Sequence, residues 1–379
     1  MRLAFFSACG FPWGGSEVLW TAVAKKALNE RHDVLVSVFK WPNLHSTIHE
    51  LAQNGATIVY RRRFYPSAIH RAKKKILNLF LSEGEKYTYN DYINRFKPDH
   101  IFFNLAGGDE IAIDSSDLMV FIKQTQIPFS VFYHNISTHK YLNKVQTENF
   151  RFLLQKTKYN FFTSKMQINL LSEQLELEIP NAVILCHPLR QIFNSTKSSL
   201  TNDVSNFCII GNLVNRWKGQ DMLINILAKE EWMHLNWHLN IYGEGSDREQ
   251  LVKLIDKVGL NNKVTLHGYN KNVNKILETN DLVLIPSRQD SGPIVLYEAM
   301  MAGRPVVGSY MGAMPEYIET GVTGVLADST DEVSFEKAMR TAWEQKEKWN
   351  GWGKNARLRM EKYYDFNAVN TLLNLITKI

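Results

Sequence analysis

Short apolar runs alternate with longer amphipathic stretches along almost the whole chain. Residues 2–8 form an apolar run, 10–16 a Gly/Pro/Trp loop, and Glu17–Glu30 carries the spacing of a helix. Val34–Phe39, Ala56–Tyr60, His100–Asn104, Phe129–His134 and Asn160–Thr163 repeat the short run and are predicted to be strands. Strand–helix alternation of this kind argues for a parallel sheet covered by helices on both faces. A stretch rich in Ser, Thr and Asn, 194–205, lacks a core pattern and reads as a linker. The alternation then starts afresh, with strands expected at Phe207–Gly211, His238–Tyr242, Lys263–His267, Leu282–Ile285 and Pro305–Val307. Residues 352–379 look helical and are expected to pack back on the first domain. The pattern thus predicts two doubly wound α/β domains, 1–193 and 206–351, facing across a cleft. Ligands of such sheets bind beyond the carboxyl ends of the strands, where Gly14, Gly15 and His134 fall.

A length of 379 residues agrees with two domains. Net charge is +6, and the excess sits in the first 200 residues, where the balance is +8 against −2 for the remainder. Arg61–Arg63, Arg71 and Lys73–Lys75 are followed at once by Ile76, Leu77, Leu79, Phe80 and Leu81. Residues 61–81 therefore read either as a basic amphipathic segment suited to an anionic membrane surface or as a solvated face beside core residues. No nucleic-acid-binding motif accompanies the charge, so nucleic acid is not an expected partner. Three widely spaced cysteines have no metal or disulfide spacing, which favours a reducing, cytoplasmic setting. No apolar run of about 18 residues is present to span a bilayer.

The most informative stretch is Asp290-Ser-Gly-Pro-Ile-Val-Leu-Tyr-Glu298. Pro293 suits the first position of a helix and Gly303 its far end. Ser291, Gly292, Pro293, Ile294 and Val295 would then surround a helix start whose free N–H groups and dipole attract phosphate. Small Gly292 lets a ligand approach the backbone closely. Two acids, Asp290 and Glu298, flank that start. A ligand that is part anion and part polyol fits, and a nucleotide sugar is such a ligand.

From here the second half resembles the donor domain of the GT-B retaining glycosyltransferases of family 4. The resemblance is carried in order by Ile210-Gly-Asn-Leu-Val-Asn-Arg-Trp-Lys218-Gly, Ile241-Tyr-Gly-Glu-Gly245, Val264-Thr-Leu-His-Gly-Tyr269, Asp290 with Glu298, Ala302-Gly-Arg-Pro and Gly312-Ala-Met-Pro-Glu316. Gly14-Gly-Ser-Glu17 and Phe132-Tyr-His134 resemble the first half more weakly. The resemblance implies a GT-B fold of two Rossmann-like domains and transfer of a hexosyl-type sugar to a glycan, lipid-linked or other hydroxyl acceptor. It makes Lys218 and Arg216 the phosphate-facing cations, Asp290 the partner of the sugar hydroxyls, Glu298 that of the ribose, and Tyr269 a neighbour of the base. His134 becomes a sugar-facing catalytic group, and Gly15 lies near phosphate or acceptor. Front-face attack is implied, with the leaving phosphate helping to take the acceptor proton. Two positions depart from the family: Asp290 stands where Glu is usual, and Asn212 replaces a diphosphate-binding Arg. No Asp-x-Asp triplet occurs, so no metal or other cofactor is expected. The competing readings are a non-catalytic relative, a nucleotide-sugar epimerase, and a dehydrogenase, whose fingerprint Gly243-Glu-Gly245 matches only in part.

Overall fold

In the computed structural model the described residues are 1–10, 12–61, 89–105, 116–136, 142–189, 191, 193 and 204–378. They fall into two compact units, one of residues 1–163, 167–188 and 367–379, the other of 164–166 and 189–366. Most of the basic segment 61–81 and most of the expected linker lie outside the described residues. No helix among the described residues is long and apolar enough to cross a membrane.

The first unit is built on seven parallel strands: β1 (Arg2–Ser7), β2 (Asp33–Phe39), β3 (Thr57–Arg61), β4 (His100–Leu105), β5 (Phe129–Tyr133), β6 (Asn160–Phe162) and β7 (Ala182–Ile184). Their spatial order is β3-β2-β1-β4-β5-β6-β7. Phe5 of β1 sits beside Val36 on one side and Phe102 on the other. Successive side chains of a strand point to opposite faces, so Leu3 and Phe5 join one core and Ala4 and Phe6 another. That double burial explains why β1 reads as an unbroken apolar run rather than an alternating one. The helix Ser16–Asn29 covers the Leu3/Phe5 face with Leu19, Trp20 and Val23.

The second unit repeats the plan with β8 (Ser205–Ile210), β9 (Trp237–Tyr242), β10 (Val264–Gly268), β11 (Leu282–Ile285), β12 (Val306–Gly308) and β13 (Gly324–Leu326), all parallel, in the order β10-β9-β8-β11-β12-β13. Its core runs from Phe207 and Leu239 to Trp232, Trp349 and Trp352.

Predicted strands agree with the observed ones to within one or two residues, except that the edge strands β7 and β13 were not anticipated. The C-terminal stretch differs more. It forms two helices, Trp349–Tyr363 and Ala368–Thr377. The second packs on the first unit, through Ala368, Leu372, Leu373 and Ile376 beside Leu19 and Trp20. The first stays with the second unit, where Gly353 lies so close to Gly303 that a Cβ on it would sit 1.9 Å from the Gly303 carbonyl oxygen. The chain changes unit at residues 366–367, not at 352.

Candidate functional site

In both units the strand order reverses beside the first strand, and an open α/β sheet offers its ligand crevice at such a reversal. In the second unit the reversal lies between β8 and β11, which pair directly at Leu282 and Val283. A small cleft, open to solvent, lies there, lined by Gly211, Pro286, Ser287, Val295, Lys218 and Asp290 among others.

Close-packed backbone gives the cleft its shape. The turns after β8, β9 and β10 are joined by Gly211 N–H donating to Tyr242 O (2.9 Å), Gly243 N–H to Gly268 O (2.8 Å) and Leu213 N–H to Glu244 O (2.9 Å). A Cβ on Gly243, whose φ is +146°, would sit 1.9 Å from Gly211 O, and one on Gly245 would sit 2.3 Å from Leu213 O. The Gly-x-Gly step thus serves strand-end packing, which removes the feature that favoured a dehydrogenase. Gly219 ends the short helical turn Asn215–Lys218 at φ +67°, against the Pro286 carbonyl. Trp217 O accepts from the N–H groups of Arg288 (2.8 Å) and Gln289 (3.1 Å). Lys218 is therefore tied to the loop that follows β11.

Lys218 Nζ forms an ion pair with Asp290, whose side chain is 11% exposed against 30% for the lysine. Asp290 Oδ1 also accepts from the N–H of Ser291 (2.9 Å). Gly312, at φ +55°, lies directly under this loop, and Ala313 N–H donates to Ser291 O (2.9 Å). The helix Ile294–Met301 starts one residue after Pro293, which is its N-cap and offers no side-chain hydrogen bond. At the far end Gly303 N–H bonds Met300 O (3.0 Å) and Arg304 N–H bonds Ala299 O (2.8 Å), the paired closure that a left-handed glycine allows. Val295 faces the cleft. Ser291, Gly292 and Pro293 are buried and Ile294 is half-buried.

The other expected residues scatter. Glu298 is fully buried in the helix, so its carboxylate is closed to solvent. Arg216 is exposed, with its guanidinium 4.3 Å from the Trp217 ring centre. Asn212 is exposed, and its carbonyl accepts from Gln220 Nε2 (2.9 Å). Tyr269 is 74% exposed. None of these four lines the cleft. Gln220 does line it and was not anticipated; its side-chain Oε1 is buried with no partner.

The corresponding place in the first unit, beside β1 and β4, is occupied by a buried hydrogen-bonded chain. Asn104 Nδ2 donates to Ser7 Oγ (3.5 Å), which orients Asn104 Oδ1 to accept from His134 Nε2 (2.6 Å). His134 Nδ1 is then left to accept from His187 Nε2 (3.3 Å). Ser7 Oγ donates to Glu17 Oε1 (2.5 Å), and Trp20 Nε1 donates to Glu17 Oε2. Burial holds His134 well below the ordinary imidazole range, aided by the neighbouring His187. Burial also raises the Glu17 carboxyl, against the lowering effect of Ser7, Trp20, Cys9 and the Arg61 charge. The Arg61 guanidinium donates inward to the Ser7 carbonyl and sits 4.5 Å from the Phe39 ring centre. It is thus taken up by the fold and not displayed as part of a basic surface. The cavity beside Glu17 is walled by Trp13, Trp20, Phe39 and Trp41, and its lining among the described residues has no Lys or Arg. Gly15 is exposed at the start of the Ser16–Asn29 helix. Ser7, Glu17, Asn104 and His187 were assigned no role from sequence. The local signal was Gly-Gly-Ser-Glu at a strand-to-helix turn.

Residues 192–359, which fall within the second unit, match the family model Glycosyl transferases group 1. Over 93 residues the chain is 33% identical to N-acetyl-alpha-D-glucosaminyl L-malate synthase of Bacillus anthracis, covering 24% of this chain and 24% of that one. The chain spans about a quarter to a third of the length of the first two curated relatives it matches. Solved structures match far more of it. HepE of Anabaena, crystallised with UDP, is 17% identical with a TM-score of 0.73, covering 99% of this chain and 98% of that one. WaaG, a glycosyltransferase involved in lipopolysaccharide biosynthesis, is 16% identical with a TM-score of 0.71 and 100% coverage of both chains. The fold is like that of GT-B glycosyltransferases, and the stretch similar to the group 1 family lies in the second unit.

Proposed function

We propose that the protein is a retaining glycosyltransferase that holds a nucleoside-diphosphate sugar at the carboxyl ends of β8 and β11. The observation that carries this reading is a pinned ammonium, Lys218, at a cleft bordered by the start of the uncapped helix Ile294–Met301. A departing diphosphate needs positive charge and N–H donors fixed in place before it forms. The Lys218 ammonium and the backbone around Gly292–Val295 supply both. In this reading Asp290 meets hydroxyls of the transferred sugar. HepE of Anabaena has been crystallised with UDP-glucose, which supports a nucleotide sugar as donor for this chain too.

His134 enters this reading as a fixed, neutral ring and not as an acid or base, since both its nitrogens are engaged within the first unit. The acceptor is a glycan or lipid-linked hydroxyl. Attack occurs on the face the diphosphate leaves, and its oxygen takes the acceptor proton, so no protein nucleophile and no metal is required. Incubating the purified protein with a panel of nucleotide sugars tests this. Release of nucleoside diphosphate, unaffected by excess EDTA and lost in Lys218→Ala, is the expected result. Absence of release from every donor, with or without candidate acceptors, would favour the non-catalytic reading, and conversion of a donor with no acceptor present would favour the epimerase.

A further inference from the structure

We infer that the donor site of the second unit is latched by its own ion pair, so that an arriving diphosphate must displace the Asp290 carboxylate from the Lys218 ammonium. This rests on the reading of the cleft as a nucleotide-sugar site. The two side chains come from different loops, 72 residues apart in sequence, and each loop is fixed by backbone contacts. Gly219 lies against Pro286, and Trp217 O is held by two N–H groups. Asp290 and Ser291 lie over Gly312, and Ser291 O is held by Ala313 N–H. With both loops held by backbone contacts, the latch opens by side-chain rotation.

The pair is also tight. The Asp290 side chain is nearly buried, and Asp290 accepts a second hydrogen bond from Ser291 N–H. A diphosphate seated at Lys218 therefore meets a competing anion already in place and repels it. The same residue opposes binding of the free diphosphate and assists binding of the sugar. A product diphosphate, which lacks the sugar, is consequently disfavoured and expelled as the latch re-forms.

Calorimetric titration of UDP, GDP, ADP, CDP and dTDP into four proteins tests this: wild type, Asp290→Asn, Lys218→Met and the double variant. Asn keeps the oxygen that accepts from Ser291 N–H, and Asp290→Ala repeats the test without the amide. The latch predicts that Asp290→Asn binds its preferred diphosphate about tenfold more tightly than wild type, while sugar transfer falls. Lys218→Met binds more weakly, and adding Asp290→Asn to it restores much less than tenfold. Equal or weaker binding in both Asp290 variants overturns the latch and leaves the site standing. If none of the proteins binds any of the five, the site assignment fails as well.

Discussion

The two units share a strand order through their first six strands, yet they treat the same topological position in opposite ways. Beside β8 the second unit leaves a cleft with one cation and one carboxylate reaching into it. Beside β1 the first unit fills the position with Glu17, Ser7, Asn104 and His134, each hydrogen-bonded to the next. The nearby cavity there is largely aromatic, and among the described residues no cation lines it. Parallel-sheet topology supplies a place where a ligand is able to bind, while the local side chains decide whether that place receives an anion or becomes scaffold. A buried carboxylate with three hydrogen-bonded neighbours cannot serve as a phosphate site. A half-exposed lysine beside a free helix start is suited to be one.

Replacing Lys218 by Ala should reduce sugar transfer by roughly 100- to 1,000-fold, the usual cost of removing one donor to a developing anion. Its melting temperature should fall only modestly, because Lys218 is partly exposed and Asp290 keeps its hydrogen bond from Ser291 N–H. A large stability loss with little change in rate would erase the contrast between the units. Gly243→Ala should destabilise the second unit by about 3 kcal/mol or more, since its Cβ collides with Gly211 O at a φ that side chains rarely adopt. Denaturant unfolding measures this, and a neutral result would mean the strand-end turns separate easily. Glu17→Ala should cost about 2 kcal/mol by leaving Ser7 and Trp20 without their acceptor, with nucleotide binding unaltered.

The smallest effect is a pH dependence. His134 and His100 are held below the unfolded imidazole value, His100 at about 3, both chiefly by burial. Their folded pKa values lie below the unfolded one, so protonation favours unfolding. Their contribution is complete above about pH 6.5 and declines as pH falls through that value. Glu17 acts in the opposite sense, because its raised folded pKa relieves a charging cost on acidification. The protection factors of β4 and β5, corrected for the intrinsic pH dependence of exchange, should therefore fall from pH 7 to 5, and His134→Gln should flatten that slope by up to about one proton. An unchanged slope would show that His134 is not held neutral.

The sheets were legible because β1, β4, β5 and β11 are apolar on both faces, and such runs announce parallel strands without help from distant residues. β7 and β13 span three residues at sheet edges, too few to form a pattern. The break at 364–367 contains neither Gly nor Pro, so residues 352–379 looked like a single helical body. Asp290, Lys218 and the helix start were visible because each sits in a local motif. The chain around Glu17 was invisible because it joins residues far apart in sequence: Asn104 lies 97 positions from Ser7, and His187 lies 53 from His134. Glu298 shows the opposite limit. The sequence placed it on the right helix, but packing determined that its carboxylate is buried.

Hydrogen exchange of the wild-type protein, with and without the nucleotide sugar that most raises its melting temperature, tests the central contrast most directly. The account predicts new protection at residues 211–220 and 286–297, with β1, β4 and β5 unchanged at their carboxyl ends. Protection confined to residues around Ser7, Glu17 and His134, with none near Lys218, would contradict it.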